Sequence, residues 1–160
     1  MKPVSKPRQA NPETSWVDDA TLRQLMGYHM KRAFNVIQAD LAATLKPFDL
    51  RMLTYTALVL IKDNPGLRQS QLADAMDIER PNLVVIIDEL ERRELIVRER
   101  VSTDRRAYAL QVTMAGRQLC EQAETAVLLH ENRLLENLDE ETRAVMIAGM
   151  HLVEKNGKKG

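Results

Sequence analysis

Two short amphipathic helical patterns, joined by a three-residue break, constrain the fold of this chain more than any other feature of its sequence. The first pattern covers residues 69–76, and the second begins at residue 80 and runs to 93, with Pro81 in its first turn, where a missing N–H costs nothing. The apolar sides of the two patterns are formed by Leu72, Ala73 and Met76 and by Leu83, Ile86, Ile87 and Leu90. Two such helices joined by a short turn predict a helix-turn-helix.

The residues after this helix pair are typical of strands. Residues 95–100 and 107–113 predict two short strands, and the charged stretch 102–106 predicts the loop of a β-hairpin between them. Thr113 stands where its hydroxyl can cap the next helix. A helix-turn-helix followed by a hairpin is a winged helix.

Helical patterns flank the winged helix on both sides. One begins near residues 16–19 and ends before Pro47, and an almost wholly apolar one follows at 50–62. A long helix is predicted at 115–135, and Asp139 can cap a last helix. The predicted fold class is therefore mainly α with a small β-hairpin wing.

The composition excludes several classes of protein. The chain has 23 Lys+Arg against 23 Asp+Glu and 44% apolar residues, which is typical of an ordinary globular domain. The single Cys120 cannot form a disulfide framework or a thiolate zinc site, and the three histidines lack metal-ligand spacing, so we expect no metal and no cofactor. No apolar run has the ~18–20 residues of a membrane span and no secretory signal is present, so we expect a cytoplasmic protein. No paired carboxylates, activated nucleophile or glycine-rich loop indicates an enzyme.

Several segments of the predicted winged helix share the residue pattern of a known family. The pattern runs through residues 71–78 and 80–83 and continues through 88–93 and 95–96. It is strongest at Asp104-Arg105-Arg106, and Leu110 and residues 112–117 close it. These segments resemble the MarR (multiple antibiotic resistance) family of winged helix-turn-helix transcriptional regulators. The resemblance covers about residues 22–155, which is nearly the whole chain.

The resemblance implies a dimer whose first, fifth and sixth helices interlock while two winged helices contact DNA. It also implies, for many members, a small-molecule pocket between the dimerisation helices and the DNA-binding part. The expected organisation is a flexible arm at 1–16, an N-terminal dimerisation helix at 17–48, a winged helix-turn-helix DNA-binding domain at 49–113, C-terminal dimerisation helices at 114–156 and a tail at 157–160. The expected partners are double-stranded DNA and a second copy of the chain, with no membrane.

The helix that begins at residue 80 is the expected recognition helix, whose N-terminal residues enter the major groove. Arg80 and Asn82 offer donors to base edges or phosphates, and Val84 and Val85 can contact thymine methyl groups. An ion pair with an acidic neighbour is the alternative for Arg80. Many family members have Thr or Ser followed by Arg at the two valine positions, so the bases that are read stay open.

Phosphate contacts are expected on both sides of the recognition helix. Ser70 and Gln71 open the preceding helix, where hydroxyl, amide and backbone N–H groups commonly bind phosphate. Arg98 and Arg100, on the first strand of the hairpin, are predicted to meet phosphates. The alternative is that both arginines only solvate the strand beside Glu99.

The charged triplet of the hairpin is the expected wing tip. The resemblance implies that Arg106 enters the minor groove and that Asp104 braces the loop, and Arg105 is the further candidate for a DNA contact. A narrow A·T-rich groove would favour such an arginine through its negative potential.

Two residues depart from the family pattern at helix ends. Glu94 stands where a glycine usually ends the recognition helix, so a left-handed cap is less easily made there. Arg68 stands where a serine cap is common, so Gln69 or Ser70 must adjust.

A ligand site is predicted on the first helix, which borders the pocket in the family. There, His29 or Arg32 could hold the carboxylate of an aromatic acid or the phosphate of an acyl thioester. The alternative is that His29 packs at the dimer interface while Lys31 and Arg32 face solvent. Cys120, on the long helix, is expected to pack rather than to sense oxidants.

The sequence therefore predicts a dimeric DNA-binding transcriptional regulator, in the form of a repressor that binds a pseudo-palindromic operator. A small aromatic acid or a related ligand is the expected signal for its release. The alternative is a winged-helix protein-interaction module without DNA binding, because the usual recognition-helix arginine is replaced at Val85.

Overall fold

The structure, a computed structural model, describes residues 17–101 and 104–158, and the side chains of residues 101 and 104–107 lie outside that description. The predicted arm at 1–16 and the last two residues of the predicted tail, 159–160, are outside it as well. Within the described ranges, the chain forms six α-helices and three β-strands. They are α1 Met26–Leu45, α2 Met52–Asp63, β1 Leu67–Arg68, α3 Gln69–Met76, α4 Arg80–Arg92, β2 Ile96–Val101, β3 Asp104–Val112, α5 Met114–Leu134 and α6 Glu140–Gly157. The predicted mainly α fold with a small wing is confirmed.

The chain divides into two compact units, and the boundary between Val36 and Ile37 falls within α1. In the first unit, a 3₁₀ turn occupies Leu22–Gln24, and Leu25 has extended backbone angles (φ −100°, ψ 123°). An extended residue cannot continue a helix, so α1 begins only at Met26. The predicted helix start near residues 16–19 is therefore too early.

The larger apolar core of the second unit is built around α2. Ala57, Leu58 and Ile61 of this helix are fully buried, as its almost wholly apolar sequence predicts. They pack with buried side chains of α3, α4, α5 and the sheet region, namely Leu72, Ala73, Leu83, Ile86, Ile87, Leu90, Leu95, Ile96, Leu110 and Cys120. Because packed interiors deform little, this core holds α3 and α4 in a fixed orientation.

A smaller apolar cluster in the second unit joins the end of α1 to α5. Its buried members are Leu45, Leu50 and Ala123. His130 of α5 is also buried, and its Nδ1 lies 3.0 Å from Oδ2 of Asp40 in α1. The C-terminal part of α1 and α5 are thus connected by both apolar and polar contacts.

The wing hairpin is part of a three-stranded antiparallel sheet with the strand order β1-β3-β2. β2 pairs with β3 from Ile96, opposite Val112, to Arg100, opposite Tyr108. β1 was not predicted, because a two-residue strand is too short to show an alternating pattern. Its Leu67 pairs with Leu110, so the chain is tied to the wing strand immediately before α3 begins.

The chain turns sharply where α4, β2 and α5 meet. Glu94 adopts a left-handed conformation (φ 56°), and Leu95 N donates to Leu90 O (3.0 Å), so the cap forms although glycine is absent. The predicted cap of α5 is confirmed, because Thr113 Oγ1 accepts a hydrogen bond from Gly116 N (3.0 Å). A Cβ atom on Gly116 would lie 1.9 Å from Leu95 O, so this junction requires glycine.

Helix α6 lies on the surface of the chain. Asp139 caps it as predicted, by accepting a hydrogen bond from Thr142 N (2.8 Å). Among the residues that the structure describes in this helix, none is buried, and its exposed apolar side chains are Val145, Met146, Ile147, Met150, Leu152 and Val153. None of the helices in the described ranges has the length and apolar character that a bilayer span requires.

Candidate DNA interface

The first half of α4 presents four of the predicted DNA-contacting side chains on one exposed surface. Leu83 and the two isoleucines that follow point into the core, which leaves Arg80, Asn82, Val84 and Val85 exposed. Val84 is 43% and Val85 64% exposed, so both valines present their methyl groups at the surface. This surface combines hydrogen-bond donors with methyl groups, the two kinds of contact that base edges accept in the major groove.

The start of α3 is capped in a way that the sequence did not reveal. Gln71 reaches back so that its Oε1 accepts a hydrogen bond from Arg68 N (3.0 Å), which satisfies the backbone N–H of the residue that precedes the helix. Neither Gln69 nor Ser70 makes the expected adjustment, since the hydrogen bond at this helix start comes from Gln71. Ser70 is half-buried and Gln71 is exposed, so both lie close to the surface at the helix end where phosphate contacts are predicted.

The turn between α3 and α4 carries two carboxylates, and Asp74 in α3 adds a third beside them. Asp77 adopts a left-handed conformation (φ 52°) that ends α3, and Ile78 N donates to Ala73 O (3.1 Å). Asp74, Asp77 and Glu79 line an open depression of about 560 Å³ together with Arg80. The positive charge of Arg80 is therefore partly offset by the carboxylates beside it.

The structure separates Arg98 from Arg100, which the sequence analysis treated alike. Arg98 forms an ion pair with Asp88 of α4, and its Nε lies 3.0 Å from Glu91 Oε2. Its side chain is only 24% exposed, whereas Arg100 is exposed. Arg98 thus occupies a site between β2 and α4, and the charge of Arg100 is presented to solvent.

The wing triplet lies at the start of β3. β3 begins at Asp104, which pairs with Val101, so the residues of the triplet belong to a strand and not to the predicted loop 102–106. The pairing of β2 with β3 shifts register between Arg100 and Val101, so the strand pairing is irregular in the charged segment. The side chains of Asp104, Arg105 and Arg106 lie outside the described part of the chain, and their DNA contacts stay predictions.

Two further arginines, Arg51 and Arg93, whose contacts no sequence motif indicated, contact α4 or extend from its C-terminal end. Arg51, just before α2, forms an ion pair with Glu89. Arg93 donates hydrogen bonds to the backbone carbonyls of Phe48 (3.1 Å) and Asp49. The partners are about 40 residues apart in sequence, so no local pattern could have indicated these contacts.

The predicted ligand residues of α1 belong to a polar cluster in the first unit. His29 Nε2 lies 2.8 Å from Arg23 O, and the Arg32 guanidinium lies over the Tyr28 ring, 5.5 Å from its centroid. Tyr28 Oη donates to Asp19 (2.6 Å), which also accepts from Arg23 (2.7 Å). The hydrogen bonds from Arg23 and Tyr28 lower the pKa of the Asp19 carboxyl. His29 and Arg32 are therefore brought together around Tyr28.

Cys120 is fully buried and contacts a lysine–glutamate pair. Its Sγ lies 3.5 Å from Glu124 Oε1, and Glu124 also forms an ion pair with Lys62. Burial raises the pKa of this thiol to about 12. A thiol held in its neutral form is inert, so the predicted packing role is confirmed. In the described part of the chain, no group of three or more His, Cys, Asp or Glu side chains could hold a metal ion.

The fold and the exposed α4 surface define a winged helix-turn-helix protein, and three comparisons with known proteins identify its family. The model of the MarR family matches residues 50–108. A putative transcriptional regulatory protein for the hcr operon of Thauera aromatica is 31% identical over 141 residues, which are 88% of this chain and 85% of that protein. The chain belongs to the MarR family of transcriptional regulators. The expectation that it is not an enzyme is confirmed by this membership.

Two solved structures extend the comparison to nearly the whole chain. The transcriptional repressor CouR bound to a 23-mer DNA duplex has a TM-score of 0.83 and 33% identity, over 88% of this chain and 99% of that chain. CouR bound to p-coumaroyl-CoA has a TM-score of 0.77 and 31% identity, over 87% of this chain and 98% of that chain. This chain therefore shares the backbone arrangement of a repressor that has been solved with DNA and with an acyl-CoA thioester.

Proposed function

We propose that this chain is a homodimeric repressor that binds a pseudo-palindromic operator through α4 and the wing, and that an aromatic acyl-CoA thioester or the related acid releases it. The observation that carries the proposal is the exposed surface of α4, where Arg80, Asn82, Val84 and Val85 are all exposed on a helix held by the core. The similarity to CouR bound to DNA supports the same use of this surface.

The proposal that the repressor is a dimer is supported by the apolar side chains that one copy leaves uncovered. Six apolar residues of α6 are between 47% and 67% exposed, and α1 carries further exposed ones such as Met26 and Phe34. Six exposed apolar side chains on a single helix are typical of an interface with another chain. In a dimer with two-fold symmetry, each copy covers the same surface of the other, and the two recognition helices read half-sites about one helical turn apart.

The DNA part of the proposal is tested by selection from duplexes with a randomised centre, followed by fluorescence anisotropy over a salt series. We expect tight binding to the selected duplexes, weak binding to scrambled ones, and a steep loss of affinity as salt rises. Arg80→Ala should weaken binding to the selected duplex by about tenfold, because it removes a base or phosphate contact.

Arg92→Ala is the matched control, since it removes the same charge from an exposed position at the opposite end of α4. Its affinity should stay close to that of the wild type. If no duplex is enriched and no DNA is bound at low salt, the DNA-binding proposal is wrong and the protein-interaction module is favoured.

The ligand part of the proposal rests on the polar cluster of α1. The Arg32 guanidinium lies over the Tyr28 ring and its Nη1 donates to Tyr28 Oη (3.4 Å), which leaves its other N–H groups for a carboxylate or a phosphate. His29 lies beside it and adds an imidazole. The similarity to CouR bound to p-coumaroyl-CoA supports an acyl-CoA thioester as the ligand class.

Calorimetry with p-coumaroyl-CoA, other aromatic acyl-CoA thioesters, the free acids and coenzyme A tests this site. Arg32→Ala should weaken binding at least about tenfold, because hydrogen bonds to charged groups contribute strongly to affinity. Lys31→Ala is the control, since Lys31 is the neighbouring exposed cation on the same helix. Equal losses in both variants would mean that the helix attracts the ligand only by its overall charge.

A further inference from the structure

The second half of α4 carries three carboxylates, and two arginines from outside the helix contact them. Arg98 of β2 contacts Asp88 and Glu91, and Arg51 at the start of α2 contacts Glu89. Helix α4 is therefore bound by ion pairs on two sides, from β2 and from the start of α2.

The contact of Arg98 follows from its place in β2. Side chains two residues apart share one face of a strand, so Arg98 lies on the face of Ile96, which is 1% exposed and packs in the core. Asp88 and Glu91 are three residues apart and therefore neighbours on one side of α4. Nη2 of Arg98 contacts Asp88, and Nε is buried near Glu91 Oε2 (3.0 Å) without a well-aligned hydrogen bond, so charge attraction dominates there.

We propose that Arg98 is a positioning residue that fixes the wing to the recognition helix, and that its guanidinium does not contact a DNA phosphate. This inference rests on the proposed DNA-binding function. A cation flanked by two carboxylates has little charge left to attract a phosphate. Because the wing and α4 must reach two different grooves at once, a contact that sets their relative orientation determines which DNA fits both.

Arg100 provides a contrasting case on the same strand and the same face. It is exposed and lies two residues beyond Arg98, so its charge remains available to the DNA backbone. We expect Arg100→Ala to weaken binding to selected and scrambled duplexes alike and to lower the slope of log K against log salt by about one.

Arg98→Ala should behave differently in the same anisotropy series. We expect about a tenfold loss of affinity for the selected duplex, an unchanged salt slope and little change with scrambled DNA. The melting temperature should change by less than about 4 °C, because partly exposed ion pairs contribute little to stability. A loss of selectivity at nearly constant stability is the result that a general structural role would not produce.

Substitution of the acidic partners of Arg98 distinguishes a positioning role from electrostatics alone, because the two predict opposite changes in affinity for the selected duplex. Replacing Asp88→Asn and Glu91→Gln together removes two negative charges, which by electrostatics alone would raise affinity for any DNA. If these carboxylates hold Arg98, the double variant should instead lose selectivity to the same extent as Arg98→Ala. Adding Arg98→Ala to it should then cause no further loss.

The proposal is overturned if Arg98→Ala weakens both duplexes equally and lowers the salt slope by about one. It is also overturned if the double acidic variant binds the selected duplex more tightly. If the wild type binds no DNA, the proposed function is wrong, and the contact between Arg98 and α4 is then tested independently by amide hydrogen exchange. Faster exchange in β2 of Arg98→Ala would then support it, and unchanged exchange would exclude it.

Discussion

Gly116 lies so close to the backbone of Leu95 that this position has no space for a side chain. A Cβ atom there would be 1.9 Å from Leu95 O and 2.9 Å from Val112 Cγ2. We expect Gly116→Ala to lower the free energy of unfolding by about 3 kcal/mol, because the junction of β3 and α5 must move apart to admit the methyl group. Urea unfolding followed by circular dichroism measures this change.

Gly149→Ala in α6 is the matched control for that substitution. A Cβ atom at Gly149 would meet nothing within 4 Å, and the residue is helical. Alanine should therefore stabilise the chain by up to about 1 kcal/mol through helix propensity. Similar effects of the two substitutions would contradict the close approach at Gly116.

The thiol of Cys120 should be unreactive in the folded chain. Burial raises its pKa to about 12, above the ordinary value of 9.0, so the thiolate is absent at neutral pH. We expect no reaction with Ellman's reagent at pH 8 until guanidinium chloride unfolds the protein, which makes the unfolded chain its own control. Rapid labelling of the native protein would contradict this prediction.

The raised pKa of the Cys120 thiol also predicts that the stability of the fold decreases at high pH. The stability that the neutral thiol contributes is complete below pH 9 and is lost as the pH rises towards 12. Tyr55, whose pKa burial raises, and Lys62, whose pKa the Glu124 hydrogen bond raises, act in the same direction. The melting temperature should therefore fall above pH 9, and less steeply in Cys120→Ala.

At the scale of elements, α4 ends at a glutamate where a glycine is usual, yet the backbone keeps the left-handed conformation of the cap. Glu94 holds a left-handed conformation (φ 56°) that costs an ordinary residue about 1 kcal/mol. Glu94→Gly should relieve this strain and raise the free energy of unfolding by about that amount. Chemical denaturation of the purified variant measures the change.

Glu99→Gly is the control, because it makes the same substitution at a regular strand position, in β2 opposite Ala109. Glycine should destabilise this strand by about 1 kcal/mol through the larger entropy of the unfolded chain. If Glu94→Gly destabilises the protein as Glu99→Gly does, the left-handed cap is not strained.

At the scale of the whole molecule, we expect two copies of the chain to associate through the apolar side chains of α6. Light scattering should give a mass twice the 18.3 kDa of one chain. Ile147 is 51% exposed in the middle of α6, and Ile147→Glu should give a monomer, since a carboxylate buried in an apolar interface is costly.

Gln118→Glu adds the same carboxylate at an exposed position of α5, near the helix start, and should leave the dimer intact. A wild-type mass equal to one chain would exclude the dimer at the concentration measured. Dissociation by Gln118→Glu as well would indicate that net charge, and not burial at α6, controls the association.

Much of the fold could be predicted because its signals are local. The helical spacing of apolar residues in 69–76 matches α3, and Thr113 and Asp139 cap the helices that their chemistry predicts. Two features were not predicted for the same reason. β1 has only two residues, and the break at Leu25 lies within a continuous apolar pattern, so neither produces a change of period.

The sequence by itself determined the class of protein and the group of candidate contacts, because period, caps and the charged triplet are properties of neighbouring residues. Only the tertiary structure decided which of those side chains are exposed and which are held in ion pairs within the chain. Arg98 and Arg100 look equivalent in sequence, yet the packing of β2 against α4 pairs Arg98 with Asp88 and leaves Arg100 exposed. The partner of Arg98 is ten residues away and on another element, so its engagement depends on how the strand packs on the helix.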